Sequence, residues 1–156
     1  PASSSIDSPR TVGESLGTWS TPPVIEICEG APIPGIAVVD AVDQWRELGY
    51  PIIDIISETH NGPCQTGNVG GYIIIELDEA APNPRTYLMV VDGKIQWAKI
   101  KLPGPIKARV IEHELGHAVG WNHNEILGHI MNGDYERPPP RSFPGARGPR
   151  RGTGRD

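Results

Sequence analysis

The spacing of three histidines around one glycine constrains this chain more than any other feature of its sequence. Residues 113–123 read His-Glu-Leu-Gly-His-Ala-Val-Gly-Trp-Asn-His. Helix residues four apart lie one turn apart on the same face, so His113 and His117 can share one metal ion. Gly120 predicts the end of that helix, because glycine adopts left-handed backbone conformations at little cost. The turn can then bring His123 to the same ion.

The side chains of this run match the ligand set of a catalytic zinc site. Three neutral imidazoles leave one coordination position open, whereas structural zinc sites use four protein ligands. Glu114 is not needed as a ligand, so its carboxylate can take a proton from a zinc-activated water. We therefore expect one zinc ion bound by His113, His117 and His123, with Glu114 as the general base. A bare His-Glu-x-x-His can arise by chance on a helix, but the glycine and the third histidine make this pattern far more specific.

A methionine follows the histidine run at a characteristic distance. Met131 lies eight residues after His123, and Tyr135 lies four residues after Met131. A histidine run of this form with a downstream methionine turn is the signature of the metzincin clan of zinc endopeptidases. Over residues 106–135 the chain resembles a small matrixin, the type of the matrix metalloproteinase catalytic domains. The resemblance implies that Met131 packs beneath the zinc without binding it, and that Tyr135 lies on the wall of the specificity pocket.

The upstream sequence is consistent with such a domain. Residues 24–28 alternate in polarity and are rich in β-branched side chains, which predicts a strand. Residues 36–48 have apolar side chains three to four positions apart, which predicts an amphipathic helix with Trp45 in the core. Further strands are predicted at residues 52–57, 72–77, 85–91 and 94–101, the last two joined by the hairpin turn Asp92-Gly93.

Together with the resemblance, this order of elements implies an α+β fold of the metzincin zincin type. We expect a twisted, mostly parallel sheet with an antiparallel edge strand, a backing helix and an active-site helix. One strand of the predicted hairpin should form the sheet edge above the cleft. A substrate would pair with that edge as an added strand.

Two positions depart from the matrixin pattern, and one loop lacks a metal motif. Gly133 stands where matrixins have a proline after the methionine turn, and the sequence after Tyr135 lacks a final amphipathic helix. The loop over residues 58–71 contains a single histidine, His60, so no second zinc site is expected there. Calcium binding through backbone carbonyls is compatible with such a loop, but no sequence feature indicates it.

The remaining candidate residues leave alternatives open. Cys28 and Cys64 are the only cysteines, and an even count in a secreted protease favours one disulfide between them. The alternatives are two buried free thiols, or a cysteine that blocks the zinc in a latent form. His129 precedes the methionine turn and could line the substrate cleft, although a lone histidine is more often a surface or packing residue.

Composition and charge divide the chain into three parts. Residues 1–21 are rich in Ser, Gly and Pro and predict a flexible N-terminal arm or the remnant of a pro-segment. Residues 22–136 form the predicted catalytic domain, and residues 137–156 a basic, flexible tail rich in Pro, Arg and Gly. Residues 1–136 carry 18 acidic and 8 basic side chains, whereas the tail carries six arginines and one aspartate. An acidic body disfavours nucleic acid as the main partner. No apolar run approaches the roughly 18 residues of a membrane span.

These features together predict a zinc-dependent endopeptidase that acts on proteins or peptides. We expect it to be secreted and monomeric. The alternative is a latent or inactive zinc-binding module whose cleft is occupied by a terminal segment or a protein partner. The intact Glu114 argues against an inactive module, because a protein that needs only the metal has no use for a base at that position.

Overall fold

The computed structural model describes residues 3–5, 15–47, 50, 52, 54–57, 69–123 and 130–132. Six strands and two helices lie within these residues. In chain order they are β1 (Ser3–Ser5), β2 (Val24–Ile27), α1 (Gly35–Glu47), β3 (Asp54–Ser57), β4 (Tyr72–Leu77), β5 (Arg85–Val91), β6 (Lys94–Leu102) and α2 (Ala108–Ala118).

The strands form one mixed sheet in the order β1-β5-β6-β4-β2-β3. Strands β6, β4, β2 and β3 are parallel neighbours, and β5 is antiparallel to β6. The predicted α+β class and the mostly parallel sheet are therefore confirmed. The prediction of an antiparallel strand at the edge differs from the structure in one respect. Strand β5 is the antiparallel one, but β1 pairs with its outer side, with Ser4 opposite Leu88.

At the centre of the sheet, the side chains on both faces are apolar and buried. Strand β4 contains three consecutive isoleucines, Ile73, Ile74 and Ile75, each at most 1% exposed. A continuous apolar run of this kind is typical of an interior strand of a parallel sheet. Full burial of one such side chain contributes about 1.5–3 kcal/mol. Burial of these side chains therefore stabilises the sheet on which the other elements pack.

Helix α1 packs against helix α2 through the apolar face that its sequence predicts. Its buried residues are spaced three to four apart: Val38, Ala41, Val42 and Trp45. The indole N–H of Trp45 donates a hydrogen bond of 2.8 Å to the backbone carbonyl of Glu112 in α2. Helices α1 and α2 are thus joined by a polar contact as well as by apolar packing.

The hairpin between β5 and β6 turns where the sequence predicts it. Asp92 and Gly93 have φ angles of 50° and 77°. Positive φ at both central residues is the requirement of a type I′ turn, which matches the twist of the two strands. The pairing shifts by one residue between Met89 and Val90, as a β-bulge does.

Residues 15–19, here called the strap, are hydrogen-bonded to the rest of the domain. The sequence instead predicts a flexible arm or the remnant of a pro-segment over residues 1–21. On one side the strap pairs with the β5–β6 hairpin. The backbone N–H of Thr18 donates to the carbonyl of Gly93 at 2.9 Å, and the N–H of Ile95 donates to the carbonyl of Thr18 at 2.8 Å. These ladder-type bonds make the strap part of the folded domain, although its short sequence has no periodicity to predict this.

On its other side the strap contacts the end of α2. The N–H of Leu16 donates to the carbonyl of Gly120 at 2.7 Å. The indole N–H of Trp19 donates to the carbonyl of Ala118 at 2.8 Å. Leu16 and Trp19 also pack against the hydrophobic core. The strap therefore bridges the hairpin and the last turn of the helix.

Several predictions fall on residues that the structure does not describe. The predicted tail (residues 137–156), Tyr135, His129 and Cys64 all lie outside the described residues. Among the described helices, neither is long and apolar enough to cross a membrane.

Candidate metal centre

Helix α2 and the turn that follows it carry the three histidines. His113 and His117 lie one turn apart on α2, which ends at Ala118. Gly120 has φ 110°, a conformation that side chains other than glycine rarely adopt. The N–H of Gly120 donates to the carbonyl of His117 at 2.9 Å and closes the last turn. The prediction that Gly120 ends the helix and redirects the chain toward His123 is confirmed.

The three imidazoles form a nearly equilateral triangle. Each pair of Nε2 atoms in His113, His117 and His123 is 3.1 Å apart. A tetrahedral zinc ion bonded to nitrogens at about 2.0–2.1 Å separates those nitrogens by about 3.3 Å. The triangle is within about 0.2 Å of that requirement. The three residues can therefore hold one metal ion.

Hydrogen bonds at the far side of two rings determine which nitrogen faces the triangle. Nδ1 of His113 lies 2.6 Å from the carbonyl oxygen of Ile130, and Nδ1 of His117 lies 2.8 Å from that of Trp121. A carbonyl can only accept, so each Nδ1 carries the hydrogen. In the neutral rings, both Nε2 atoms then present lone pairs to the centre. Hydrogen bonds from the outer ring nitrogen to a carbonyl orient metal-binding histidines and raise their basicity.

The environment of His113 favours its neutral form. Burial lowers the pKa of His113 well below its usual value, and repulsion from His117 lowers it further. The bond to Ile130 opposes the shift, but burial is the larger cause. A neutral imidazole at physiological pH is the form that binds a metal ion. His113 thus needs no deprotonation before it can act as a ligand.

Glu114 is buried next to the first ligand and is held by strand β5. It is 3% exposed, and its Oε1 lies 2.6 Å from the hydroxyl of Thr86. Burial raises the pKa of Glu114 to about 7, while the bond from Thr86 and the charge of Arg85 oppose the rise. A cation bound by the neighbouring histidines would lower this pKa, because it favours the charged form. A carboxyl that titrates near neutrality can both accept and release a proton.

Met131 packs under helix α2, against Gly116, which lies between the two helical histidines. Met131 is 1% exposed. A side chain at Gly116 would overlap the sulfur of Met131 and would lie 2.7 Å from Cζ2 of Trp45. The preceding residue, Ile130, supplies the carbonyl that orients His113. The methionine turn therefore supports the helix by packing and one ligand by a hydrogen bond.

Of the predicted cysteine pair and pocket residues, the structure describes only Cys28. Cys28 is buried and disulfide-bonded. The other cysteine of the sequence, Cys64, lies outside the described residues, and so do the predicted pocket residues His129 and Tyr135. Their roles stay predictions.

Sequence reasoning missed two contributors to this site. Thr86 is a single threonine in a predicted strand, and no motif distinguishes it from other strand threonines. The carbonyl of Ile130 is a backbone group, and every residue has one. Only the inward alternation of β5 could have indicated that Thr86 is a buried polar residue.

The site as a whole can hold one metal ion through three nitrogen ligands, with a buried carboxyl adjacent in the sequence to the first of them. Three protein ligands leave room for a further ligand, such as water or a substrate oxygen, on the ion. Comparison of the chain with models of protein families, with curated proteins and with solved structures finds no match in any of the three.

Proposed function

We propose that this chain is a zinc-dependent endopeptidase of the metzincin type. The observation that carries the proposal is the triangle of Nε2 atoms, 3.1 Å on each side. The two Nδ1–H groups donated to carbonyls direct lone pairs into that triangle. The histidine run with its methionine turn supplies the reaction class, because in the clan it resembles, this pattern accompanies peptide hydrolysis.

The donor set favours zinc over other common ions. Imidazole nitrogens suit zinc, copper, iron and nickel, whereas magnesium and calcium prefer oxygen ligands. Three histidines in a compact triangle fit the tetrahedral geometry of zinc, and they leave the fourth position for the reaction. Zinc here would supply the activation of a water molecule and the polarisation of the scissile carbonyl.

Glu114 supplies the proton transfers in this proposal. Its carboxylate takes a proton from the attacking water and later delivers it to the departing amine. Burial and the bond from Thr86 keep the carboxyl in one place, so little reorganisation is needed during the reaction. The proposal thus assigns binding to the three histidines and acid–base chemistry to Glu114.

Strand β5 is where we place the substrate. Its residue Thr86 contacts Glu114, so β5 passes beside the catalytic group. An extended peptide can add to a sheet edge through backbone hydrogen bonds, and pockets for alternate side chains then give specificity. A peptide on the outer side of β5 would run past the metal centre in an extended form.

The test of the proposal is cleavage of an unfolded protein by the chain with and without zinc. Chelator-treated protein is expected to be inactive, and one equivalent of zinc should restore cleavage. Zinc should also raise the free energy of unfolding by about 4 kcal/mol at a thousand-fold excess over its Kd. Magnesium at the same concentration is the control. Zinc that binds and stabilises the protein without any cleavage, both in the full chain and in a chain that lacks residues 1–10, would contradict the endopeptidase and leave a zinc-binding module.

One observation favours a second candidate, a latent form of the same enzyme. Strand β1 (Ser3–Ser5) pairs antiparallel with β5 on its outer side, opposite Tyr87, Leu88 and Met89. This is the side that a substrate would need, and the pairing begins one residue after Thr86. In this form the N-terminal segment occupies the substrate position until it is removed or displaced.

Removal of residues 1–10 tests latency without disturbing the strap at residues 15–19. A net hydrogen bond contributes about 1 kcal/mol, so releasing two or three should raise kcat/KM by about tenfold or more. Cleavage of a short peptide is measured for the full chain and for the truncated one. Truncation of residues 147–156 is the matched control, because it removes the same number of residues from the basic tail instead. An unchanged kcat/KM after N-terminal removal would rule out β1 as an inhibitor.

A further inference from the structure

Thr86 is a buried polar side chain to which neither the zinc motif nor its methionine turn gives a role. It is 0% exposed on strand β5, and its hydroxyl faces helix α2. The hydroxyl lies 2.6 Å from Oε1 of Glu114 and 3.1 Å from the backbone carbonyl oxygen of the same residue. Both contacts go to Glu114, the residue next to the first metal ligand.

We propose that Thr86 is a positioning residue that holds the carboxylate of Glu114 in the orientation needed for proton transfer. The inference rests on the proposed endopeptidase function. It goes beyond that function because it assigns the alignment of the base to a strand residue that is 28 positions away in the sequence.

The geometry of the hydroxyl supports one donated bond to the carboxylate. A threonine hydroxyl has a single hydrogen, so it can donate fully to only one of the two oxygens. The distance of 2.6 Å to Oε1 is in the range of charge-assisted O–H···O⁻ bonds, whereas 3.1 Å to the carbonyl is longer. The bond therefore goes to Oε1. Oε2 is the carboxylate oxygen that Thr86 does not engage, and it is left for the exchange with water and amine.

Without this bond the side chain of Glu114 would have more freedom. A glutamate has three side-chain torsions, and the last of them is broad because it joins sp³ and sp² atoms. The donated hydrogen bond restricts that last torsion. A misplacement of about 1 Å at a catalytic group can reduce the rate by about a hundredfold. One hydroxyl on a rigid strand is thus enough to decide whether the base is aligned.

Strand β5, which carries Thr86, is also the strand on which we place the substrate. Residues 87–89 of β5 pair with β1 at the place we propose for the substrate. A peptide held there would be held by the same strand that orients the base. Strand β5 would therefore position both the substrate and the carboxylate of Glu114, so no loop is needed to align one with the other.

Two substitutions separate the hydroxyl from the shape of the side chain. Thr86→Val keeps the branched shape and removes the hydroxyl, whereas Thr86→Ser keeps the hydroxyl and removes a methyl group. With zinc content verified, Thr86→Val should lower kcat by about 10- to 100-fold and leave KM within about twofold. Thr86→Ser should stay within about threefold of the wild type, because the donated bond is kept.

A double-mutant cycle distinguishes positioning from mere stability. If Thr86 acts through Glu114, Thr86→Val should have no further effect on the residual rate of Glu114→Gln. A substrate-independent readout is the carboxyl ¹³C resonance of Glu114 in the metal-free chain. That resonance should move in Thr86→Val and stay in place in Thr86→Ser. If the valine variant folds poorly, Thr86→Ala takes its place in both measurements.

The outcomes separate this inference from the proposed function. An active wild type with kcat unchanged in Thr86→Val overturns the positioning role and leaves the endopeptidase intact. Equal losses in Thr86→Val and Thr86→Ser, with both melting temperatures lowered, also overturn it, because they indicate a packing role. A zinc-loaded protein that is inactive both as the wild type and after removal of residues 1–10 overturns the proposed function and the role of Thr86 with it.

Discussion

Glu114→Gln is expected to keep the metal and to lose nearly all catalytic activity. The proposed ligands are His113, His117 and His123, so the substitution removes none of them. Glutamine has nearly the same size, and its carbonyl oxygen can still accept the hydrogen bond from Thr86. It cannot take a proton from water at neutral pH. Loss of a positioned acid–base group typically lowers the rate by about 10²–10⁴-fold.

The measurement compares zinc content and kcat for the variant and the wild type on the same peptide. Glu112→Gln is the matched control, because it makes the same chemical change on α2 at a side chain outside the proposed machinery. Glu112 contributes its backbone carbonyl to the bond with Trp45, and the substitution preserves that carbonyl. Retention of more than about a tenth of the wild-type kcat by Glu114→Gln would show that another group is the base.

The catalytic activity of the wild type should depend on pH through the ionisation of Glu114. A general base must be ionised, so activity should fall as pH decreases through the pKa of Glu114. Burial raises that pKa to about 7 despite the opposing bond from Thr86 and charge of Arg85, and a bound cation would lower it again. The acidic limb of the kcat/KM profile should therefore lie below about pH 7. The small residual activity of Glu114→Gln should lack this limb.

Among single glycine-to-alanine substitutions near the site, Gly120→Ala is expected to destabilise the fold most. Gly120 has φ 110°, so a side chain there is strained whatever the surrounding space. The added Cβ would also overlap the carbonyl oxygen of Gly17 in the strap, a backbone atom that cannot rotate away. Left-handed strain costs about 1–2 kcal/mol and overpacking about 1–3 kcal/mol. We expect a loss of about 3 kcal/mol or more from a total stability of about 5–15 kcal/mol.

Gly93→Ala is the control that separates the cost of the overlap with Gly17 from the cost of backbone strain. Gly93 also has a positive φ, 77°, but a Cβ there would meet nothing within 4 Å. Denaturant unfolding of the metal-free proteins measures both effects, and zinc titration shows whether His123 still reaches the ion. Equal destabilisation of the two variants would mean that contact between the strap and Gly120 does not matter for stability.

The metal centre was predictable from sequence because its parts are local. His113 and His117 need only the helical repeat, and Gly120 needs only the conformational preference of glycine. The strands around Ile73–Ile75 and the turn at Asp92-Gly93 were predictable for the same reason, since their patterns span a few adjacent residues. The three-histidine cluster brought together in the structure is the one that the spacing predicts.

The parts that were not predictable depend on contacts between distant backbone groups. The strap binds through the backbone N–H groups of Leu16 and Thr18, and every residue type except proline supplies such an N–H. Strand β1 is three serines long and has no apolar pattern, so the outer partner of β5 could not be inferred. Thr86 becomes recognisable only when the sheet places β5 beside Glu114. Sequence patterns report side-chain chemistry well, but they do not report which backbone groups meet.

The strap also affects the order in which the protein can be assembled during synthesis. Trp19 and the carbonyl that it binds on Ala118 are 99 residues apart in the chain. The strap therefore leaves the ribosome long before its partner exists, and closing so long a loop is slow compared with local folding. Ile130, which orients His113, is synthesised later still. A growing chain of this protein can thus complete most of its sheet before it can complete the three-histidine site, and the proposed catalytic centre would be the last part of the domain to form.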